Sequence, residues 1–342
     1  MGLVMPDKRI TIVGSGVAGL CLAAELTSRG QPVRLIDRQG APAAHACSWW
    51  AGGMLAPFCE GETAEEPVVR LGQMAASWWE QHNATVTRNG SLVLALGRDG
   101  GELDRFARRT EQHEWRDGDA ITALEPALQG RARRGLFFTS ESHLAPRQAL
   151  AGLVDELARH DVIIETATGD DYDISPDTDK DYIQRIDCRG LSASDALADL
   201  RGVKGEMLLI RSADIELSRP VRLLHPRIPI YLVPRGDGVF MLGATQIESG
   251  NRNAATVRSV LELLSAAYAL HPAFGEAEIL EIGVDARPAF PDNLPRIRRF
   301  GQQLYVNGLF RHGFLLAPAL AQMTADFLLK GKIPEVMDEN FS

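Results

Sequence analysis

The sequence predicts an α/β protein in which a β-rich insertion, divided into two pieces, interrupts a parallel α/β domain. Three observations support this prediction. A strand–helix–strand pattern opens the chain, an apolar strand followed by a long apolar helix ends it at residues 304–329, and runs typical of β structure fill much of the middle. Because parallel strands need helical crossovers, the two ends of the chain read as one domain and the β-rich runs as a layer over it.

The first element, "RITIVGSGVAGLCLAAELTSRGQPVRLIDR", has the pattern of a βαβ unit. We predict a buried parallel strand over Ile10–Val13 and a helix that continues to about Ser28. Gly30 ends that helix, and Val33–Ile36 form the second strand.

The turn inside this unit carries glycine at three spaced positions, Gly14, Gly16 and Gly19, which give the pattern GxGxxG. The first permits a tight turn, the second lets the backbone approach a pyrophosphate, and the third lets the helix pack on the strand. Asp37 follows about 20 residues later, where an acid binds ribose hydroxyls. The unit therefore predicts dinucleotide binding, without a 2′-phosphate. It does not distinguish FAD from NAD, and a glycine-rich turn without a ligand is the alternative.

The next segment, "ACSWWAGGMLAPFCE", places Gly52 and Gly53 beside Trp49 and Trp50. Neither glycine has a Cβ, so the backbone here could lie against a flat ring. A loop packed beneath two tryptophans explains the same residues equally well.

The middle of the chain alternates between helical and β-type patterns. We predict an amphipathic helix over residues 65–82, a charged helical stretch over residues 100–130, and a helix over Thr256–Leu270. An Asn-Gly turn introduces a strand at residues 91–96, and β structure is predicted at residues 134–138, 205–212, 228–249 and 276–290. The acidic run at residues 169–180 reads as a solvated hairpin loop.

Composition limits the classes of partner. The 342 residues are 45% apolar and 24% charged, with a net charge of −9, which argues against nucleic acid or an acidic membrane surface. No uninterrupted apolar run is long enough to span a bilayer. The four cysteines, Cys21, Cys47, Cys59 and Cys188, are scattered, so we predict no metal site and no disulfide framework, and a cytoplasmic protein with reduced thiols.

A strand-to-helix junction near the end of the chain reads "LYVNGLFRHGFLLAPAL". It places Arg311 and His312 directly ahead of Gly313, although such a turn needs a glycine and no arginine. From the residues alone, a surface arginine with a capping histidine is one interpretation and a ligand-binding turn is the other.

Seven segments together resemble a known family. The chain is similar to the FAD-dependent amino-acid oxidases of the D-amino-acid oxidase superfamily, and most of all to the glycine oxidases of thiamine biosynthesis. The matching segments, which span residues 10–329, are "VGSGVAGL", "SWWAGGML", "LFFTSESHLAPRQAL", "GVKGEML", "IYLVPRGDGVFMLGAT", "DARPAFPDNLP" and "LFRHGFLLAPA".

The resemblance implies a Rossmann-type, glutathione-reductase-like FAD-binding domain with an inserted β-rich α+β substrate domain. It assigns residues 1–84, 141–203 and 283–342 to the FAD-binding domain, and residues 85–140 and 204–282 to the substrate domain.

The resemblance also implies non-covalent FAD, since relatives that attach the flavin do so through a cysteine in the C-terminal region and the last cysteine here is Cys188. The cofactor-binding positions that it carries over are Gly14, Gly16, Val17, Ala18, Gly19, Asp37, Arg38, Ser48, Gly52, Gly53, Met54, Gly308, Arg311, His312, Gly313, Phe314 and Leu315. The helix that begins near Gly313 is then expected to point its N-terminus at the flavin.

Three positions match substrate-pocket residues of the family. Arg287 matches the arginine that grips the substrate carboxylate, Tyr231 a tyrosine over the substrate, and Arg311 a second arginine at the pocket. A buried arginine paired with Asp285 or Asp292 is the alternative for Arg287.

The implied reaction is the oxidation of glycine to its imine and then glyoxylate, with O2 reduced to H2O2. The imine would supply thiazole formation in thiamine biosynthesis, which suggests a functional link to the thiazole synthase, and the family suggests a homo-oligomer. Pro229, Gln246 and His312 depart from some relatives, which leaves the preferred amine open. Sarcosine, a D-amino acid, a non-oxygen acceptor, and a non-catalytic flavin-binding protein are the competing readings.

Overall fold

The computed structural model describes residues 9–167, 182–225, 227–301 and 303–338. The predicted loop at residues 169–180 lies outside these ranges. The α-helices of the described chain are α1 (Val17–Ser28), α2 (Pro57–Glu60), α3 (Glu66–Gly72), α4 (Ala75–Gln81), α5 (Gly100–Arg109), α6 (Gly118–Leu124), α7 (Pro146–Arg159), α8 (Val257–Leu270) and α9 (Gly313–Lys330).

The strands form two large sheets and a small third one. They are β1 (Arg9–Val13), β2 (Val33–Asp37), β3 (Met54–Leu55), β4 (Val86–Thr87), β5 (Ser91–Ala95), β6 (Glu114–Asp117), β7 (Arg134–Phe138), β8 (Ser142–Leu144), β9 (Ile164–Thr166), β10 (Tyr182–Asp187), β11 (Arg201–Arg211), β12 (Val221–Leu224), β13 (Ile230–Gly236), β14 (Val239–Gly243), β15 (Ile247–Glu248), β16 (Glu278–Ala289), β17 (Arg296–Phe300), β18 (Gln303–Asn307) and β19 (Met337–Asp338).

The first sheet is mainly parallel and has the order β19-β17-β18-β10-β1-β2-β9. β1 is an interior strand, with Ile12 opposite Ile186 of β10 on one side and opposite Leu35 of β2 on the other. The predicted βαβ unit is thus present, and the strand at the end of the chain joins the same sheet through β10. The α/β prediction is confirmed.

The core of this domain forms around α1. Its side chains are apolar on nearly all faces, which is typical of a helix enclosed by protein. Leu20, Leu22 and Leu26 are completely buried where α1 packs against α7 and α9. Burial of side chains of this size contributes about 1.5–3 kcal/mol each. This packing fixes the N-termini of α1 and α9 relative to each other.

The second sheet is mostly antiparallel and has the order β15-β11-β14-β13-β12-β5-β7-β6, with β16 on the other edge of β11. The two predicted pieces of the insertion meet where β5 pairs with β12 in parallel, and α8 packs on β11, β13 and β14. In the long β11–β16 ladder, Val203 lies opposite Arg287 and Gly205 opposite Asp285. The predicted boundaries at 203/204 and 282/283 fall within these two strands.

Two predicted helices differ from the structure. The helix predicted over residues 65–82 is divided into α3 and α4, because α3 ends at Gly72 where a Cβ would lie 2.7 Å from Leu315 of α9. The helical prediction for residues 100–130 was wrong in its middle. Helical geometry ends at Arg109, because Thr110 is extended with φ −122° and ψ 156°. Gln112 then takes a left-handed φ of 60°, and the chain pairs as β6 with β7.

Two kinds of feature are absent from the described residues. None of their helices combines the length and the apolar character needed to cross a membrane. No group of three or more His, Cys, Asp or Glu side chains in these ranges is arranged to hold a metal ion.

Candidate active site

Two adjoining cavities open between the domains. The turn cavity, of about 330 Å³, lies beside the glycine turn, and the sheet cavity, of about 410 Å³, lies beside β12, β13 and the start of α8. They share a boundary formed by Ala51, Gly52, Tyr231, Arg287, Arg311, Gly313 and Phe314. The three predicted substrate residues therefore converge on one boundary from β13, β16 and the turn before α9.

The glycine turn has the geometry that a phosphate cradle needs. Gly14 has a left-handed φ of 107°, and a Cβ there would lie 2.6 Å from the carbonyl oxygen of Cys188. Gly16 is the N-cap of α1 and has extended geometry, and no side-chain cap bond to the first turn is present among the described residues. Gly16, Val17 and Ala18 line the turn cavity. The N–H groups and positive dipole end of α1 thus suit a phosphate.

Asp37 stands at the end of β2 and also lines the turn cavity, as does Arg38. Its Oδ2 accepts from the N–H of Ser15 at 2.8 Å and its Oδ1 from the N–H of Gln39 at 2.8 Å. These bonds fix the orientation of the carboxylate, and each oxygen keeps a lone pair for a further donor.

Unpaired polar atoms in the turn cavity test whether a dinucleotide fits. Ser48 Oγ and His45 Nε2 are buried without a hydrogen-bond partner, and both residues line this cavity. Buried polar atoms are normally paired, so these two indicate an absent polar ligand. Together with the turn and Asp37, they fit a dinucleotide.

Two predicted cofactor residues, Gly19 and Gly308, line neither cavity. A Cβ on Gly19 would lie 1.9 Å from the Gly14 carbonyl oxygen, and one on Gly308 would lie 2.2 Å from the Phe290 ring. The close approach of backbone and ring thus accounts for both glycines through packing.

The Gly52–Gly53 segment passes beneath Tyr231. A Cβ on Gly52 would lie 2.9 Å from the Tyr231 ring, and Gly53, with a φ of 71°, leaves no room for one beside Leu144. Met54, in β3, lines the sheet cavity beside them. Gly52, Gly53 and Met54 thus form one wall of the sheet cavity, here called the Gly52 wall. A loop packed beneath two tryptophans would not explain why the Tyr231 ring lies so close to Gly52.

Arg235 supports this wall from behind and was not predicted. Its Nη2 donates to the Gly52 carbonyl oxygen at 2.6 Å, and no carboxylate of the described residues pairs with it. Burial lowers the pKa of Arg235 to about 10. A half-buried cation to which no described carboxylate is paired carries a desolvation cost, so its placement beside Gly52 indicates a positioning role.

Arg287 lies flat across the strand opposite it. A Cβ on Gly205 would be 2.3 Å from Nη2 and 2.5 Å from Nη1 of Arg287, so only glycine leaves room for the guanidinium. Nη1 donates to the Thr245 carbonyl oxygen at 3.1 Å. Within the described ranges Arg287 forms no ion pair. The alternative partners are engaged elsewhere: Asp285 with Arg252 and Asp292 with Arg296, both at 2.6 Å.

Arg311 is paired with a residue that was also not predicted, Glu60 at the end of α2. Arg311 Nη2 lies 2.6 Å and His312 Nε2 lies 2.9 Å from Glu60 Oε2. Burial raises the pKa of Glu60, but Arg311 and then His312 outweigh it and hold that pKa well below its usual range. The charge of Arg311 is therefore compensated, whereas that of Arg287 is not.

The start of α9 completes the boundary. Gly313, Phe314 and Leu315 form its first turn and line the cavities, and no side chain caps this end. The N-termini of α1 and α9 thus both face the space where a dinucleotide fits.

A family model described as "FAD dependent oxidoreductase" matches residues 9–327. A Rhizobium etli protein provisionally named thiamine biosynthesis oxidoreductase ThiO is 54% identical over 322 residues, covering 94% of this chain and 96% of that protein. A glycine oxidase from Pseudomonas aeruginosa is 25% identical and covers 96% of both chains.

A bifunctional ThiO/ThiG protein from Trichormus variabilis is 28% identical over 95% of this chain, which matches 53% of that longer protein. Among solved structures, a glycine oxidase from Geobacillus kaustophilus superposes with a TM-score of 0.80 at 20% identity and covers 96% of both chains. This likeness confirms the fold.

Proposed function

Since the chain belongs to the DAO family of FAD-dependent oxidoreductases, in its ThiO and glycine oxidase branch, we propose that it oxidises glycine to the imine with O2 as the electron acceptor. The imine hydrolyses to glyoxylate and ammonia unless another enzyme takes it.

The observation that carries the proposal is the uncompensated guanidinium of Arg287 on the boundary between the cavities. Its donors form only one hydrogen bond within the described chain, to a carbonyl oxygen. A planar guanidinium binds a carboxylate through two parallel hydrogen bonds. A small amino acid held in this way has its Cα directed by the Gly52 wall and the Tyr231 ring.

The residues of the boundary contribute position more than proton transfer. The shared lining contains no carboxylate and no imidazole. The amine must lose a proton before oxidation, and solvent in the sheet cavity is the available acceptor. Holding the reacting carbon in one place is then the main catalytic contribution of the chain.

The residues that would hold FAD are those of the turn cavity, with Gly16 to Ala18 at the phosphates and Asp37 at the ribose hydroxyls. Gly52, Met54 and the first turn of α9 are the candidates beside the ring system. FAD held by these residues would supply the two-electron acceptor for the oxidation of the amine to the imine, with O2 as the final acceptor and H2O2 as its product.

The names of two relatives support a proposal for the place of the reaction in metabolism. One carries the name of a thiamine biosynthesis oxidoreductase, and another is a bifunctional ThiO/ThiG protein. We therefore assign the imine to thiazole formation, with the thiazole synthase as the functional partner.

The test is an anaerobic absorbance titration of the FAD-loaded protein with glycine. Loss of the yellow colour, followed by its return in air with H2O2 formed, is the expected result. Protein that stays yellow with glycine but bleaches with sarcosine or D-alanine would move the substrate assignment. Colour lost with glycine but regained only with a carrier would remove O2 as the acceptor.

A further inference from the structure

The sheet cavity is strongly cationic in a protein whose net charge is −9. Its charged lining consists of Arg222, Arg227, Arg258, Arg287, Arg311, Glu60 and Glu262. A zwitterionic amino acid offers one carboxylate, which Arg287 alone would bind. The remaining cations therefore need an explanation.

Glu60 accounts for two of these arginines. It lies 2.6 Å from Arg311 and 3.9 Å from Arg222, and Arg222 also lies 4.0 Å from Glu62. These residues form a compensated cluster on one side of the cavity.

Four charged side chains of the lining form no ion pair with any residue in the described ranges: Arg287, Arg227, Arg258 and Glu262. With Arg287 assigned to the substrate carboxylate, two cations face one carboxylate. The cavity thus keeps one positive charge in excess.

Arg258 occupies a position at which a helix normally disfavours a positive charge. It lies in the first turn of α8, where the helix dipole disfavours a cation, and no acidic residue offsets it in that turn. The buried carboxylate nearby, Glu206, accepts from the N–H of Thr256 and pairs with Lys204 at 3.4 Å. A cation kept at this end, on the cavity wall, is favourable once an anion enters.

We propose that this site, besides oxidising glycine, binds small amino acids that carry a second carboxylate more tightly than their monoacid counterparts, because the side of the cavity formed by Arg227 and Arg258 receives that group. This inference rests on the proposed function, because Arg287 must hold the first carboxylate. The second carboxylate offsets the one positive charge by which Arg227 and Arg258 exceed Glu262, whereas glycine has no group that does so.

Two pairs of ligands isolate the second carboxylate. Iminodiacetate differs from sarcosine by a carboxylate on the nitrogen substituent, and D-aspartate differs from D-alanine by one on the Cα substituent. Binding is measured from the change in flavin absorbance of the FAD-loaded, oxidised protein at low ionic strength, without turnover. We expect at least one diacid to bind about five- to tenfold more tightly than its monoacid partner, since exposed pairs are individually weak. If only iminodiacetate binds more tightly than its partner, the site receives a carboxylate carried on the nitrogen substituent. If only D-aspartate does, it receives one carried on the Cα substituent.

Variants of the lining test whether the named residues cause the preference. The double substitution Arg227→Met and Arg258→Met should reduce the diacid-to-monoacid ratio to about 1, and Glu262→Gln should raise it. Arg133→Met, which removes an exposed arginine outside both cavities, should leave the ratio unchanged. High salt should lower the ratio of the unmodified protein.

A ratio at or below 1 for both pairs in the unmodified protein would overturn the inference. So would a ratio that the double variant retains. Because binding is read on the oxidised protein, the ratio is measured even if glycine fails to reduce the flavin. If glycine does not reduce the flavin, the proposed glycine oxidase activity is refuted. The preference for a second carboxylate is still tested by the diacid-to-monoacid binding ratio.

Discussion

The substitution Gly205→Ala should displace the guanidinium of Arg287 while Arg287 itself is unchanged. The guanidinium crosses β11 at this glycine, and the Cβ introduced by Gly205→Ala would lie 2.3 Å from Nη2. To reach the 3.4 Å of ordinary contact, the guanidinium must move by about 1 Å. The far end of an arginine side chain moves easily, so the strain is relieved by displacement of the functional group.

The expected effects on binding and stability differ. A hydrogen bond to a charged group contributes about 1.5–3 kcal/mol, so loss of the bidentate geometry predicts a rise of roughly 10- to 100-fold in KM for glycine. Stability should change little, because alanine in a strand gains about 0.5–1 kcal/mol over glycine and this offsets the cost of displacement. FAD retention should be unchanged.

The assay compares KM, FAD retention and Tm for Gly205→Ala, Arg287→Ala and the double variant. Since alanine at 205 acts through Arg287, it should have no further effect on KM once Arg287 is removed. Gly152→Ala is the control, because nothing lies within 4 Å of a Cβ at that position in α7.

An unchanged KM for Gly205→Ala would refute the assignment of Arg287 as the carboxylate-binding residue. So would a loss in the double variant equal to the sum of the single losses. A large fall in Tm together with loss of FAD would show that Gly205 serves the fold rather than the guanidinium.

Three further predictions concern other parts of the site and the core. Asp37→Ala removes the acceptor of two backbone N–H groups and should weaken FAD binding about tenfold or more, read from flavin fluorescence on dilution. Arg235→Met removes the donor to the Gly52 carbonyl oxygen and should lower kcat/KM about tenfold while Tm changes little, because the desolvation cost of a half-buried cation with no described carboxylate partner is lost as well. Burial raises the pKa of Glu141 from 4.5 to about 7. Its ionisation therefore opposes folding as pH rises from 4.5 to 7, and Glu141→Gln, which does not titrate, should gain up to about 3 kcal/mol relative to the parent across that range in urea unfolding.

Each of these has a contradicting result. Full FAD retention by Asp37→Ala would remove its ribose role. A normal kcat/KM for Arg235→Met would show that the wall holds its position without this arginine. A constant stability difference for Glu141→Gln between pH 4.5 and 8 would show that Glu141 titrates normally.

The site residues that could be predicted from the sequence are those whose positions are fixed by neighbouring residues in the same βαβ unit. Gly14 and Gly16 serve a turn whose geometry demands glycine within a few positions, and Asp37 follows at a fixed distance on the next strand. Residues with such short-range requirements leave a readable pattern.

The residues that it did not reveal act across long separations. Glu60 meets His312 over 252 positions, and Arg235 meets Gly52 over 183. Neither has a neighbour pattern that marks it. Gly205 did carry a signal, since a glycine inside a strand indicates a close approach, but only the structure shows that the approaching group is Arg287.

The packing of α1 against α9 has a consequence for how the protein is made. The glycine turn and the Arg311–Leu315 wall are separated by about 300 residues, which a ribosome needs roughly 15 to 60 s to add. During that time the nascent chain has one side of the cradle only. A product terminated before α9 lacks the other side, so we expect it to be colourless. The yellow colour of the purified protein would then indicate that its synthesis had continued through α9.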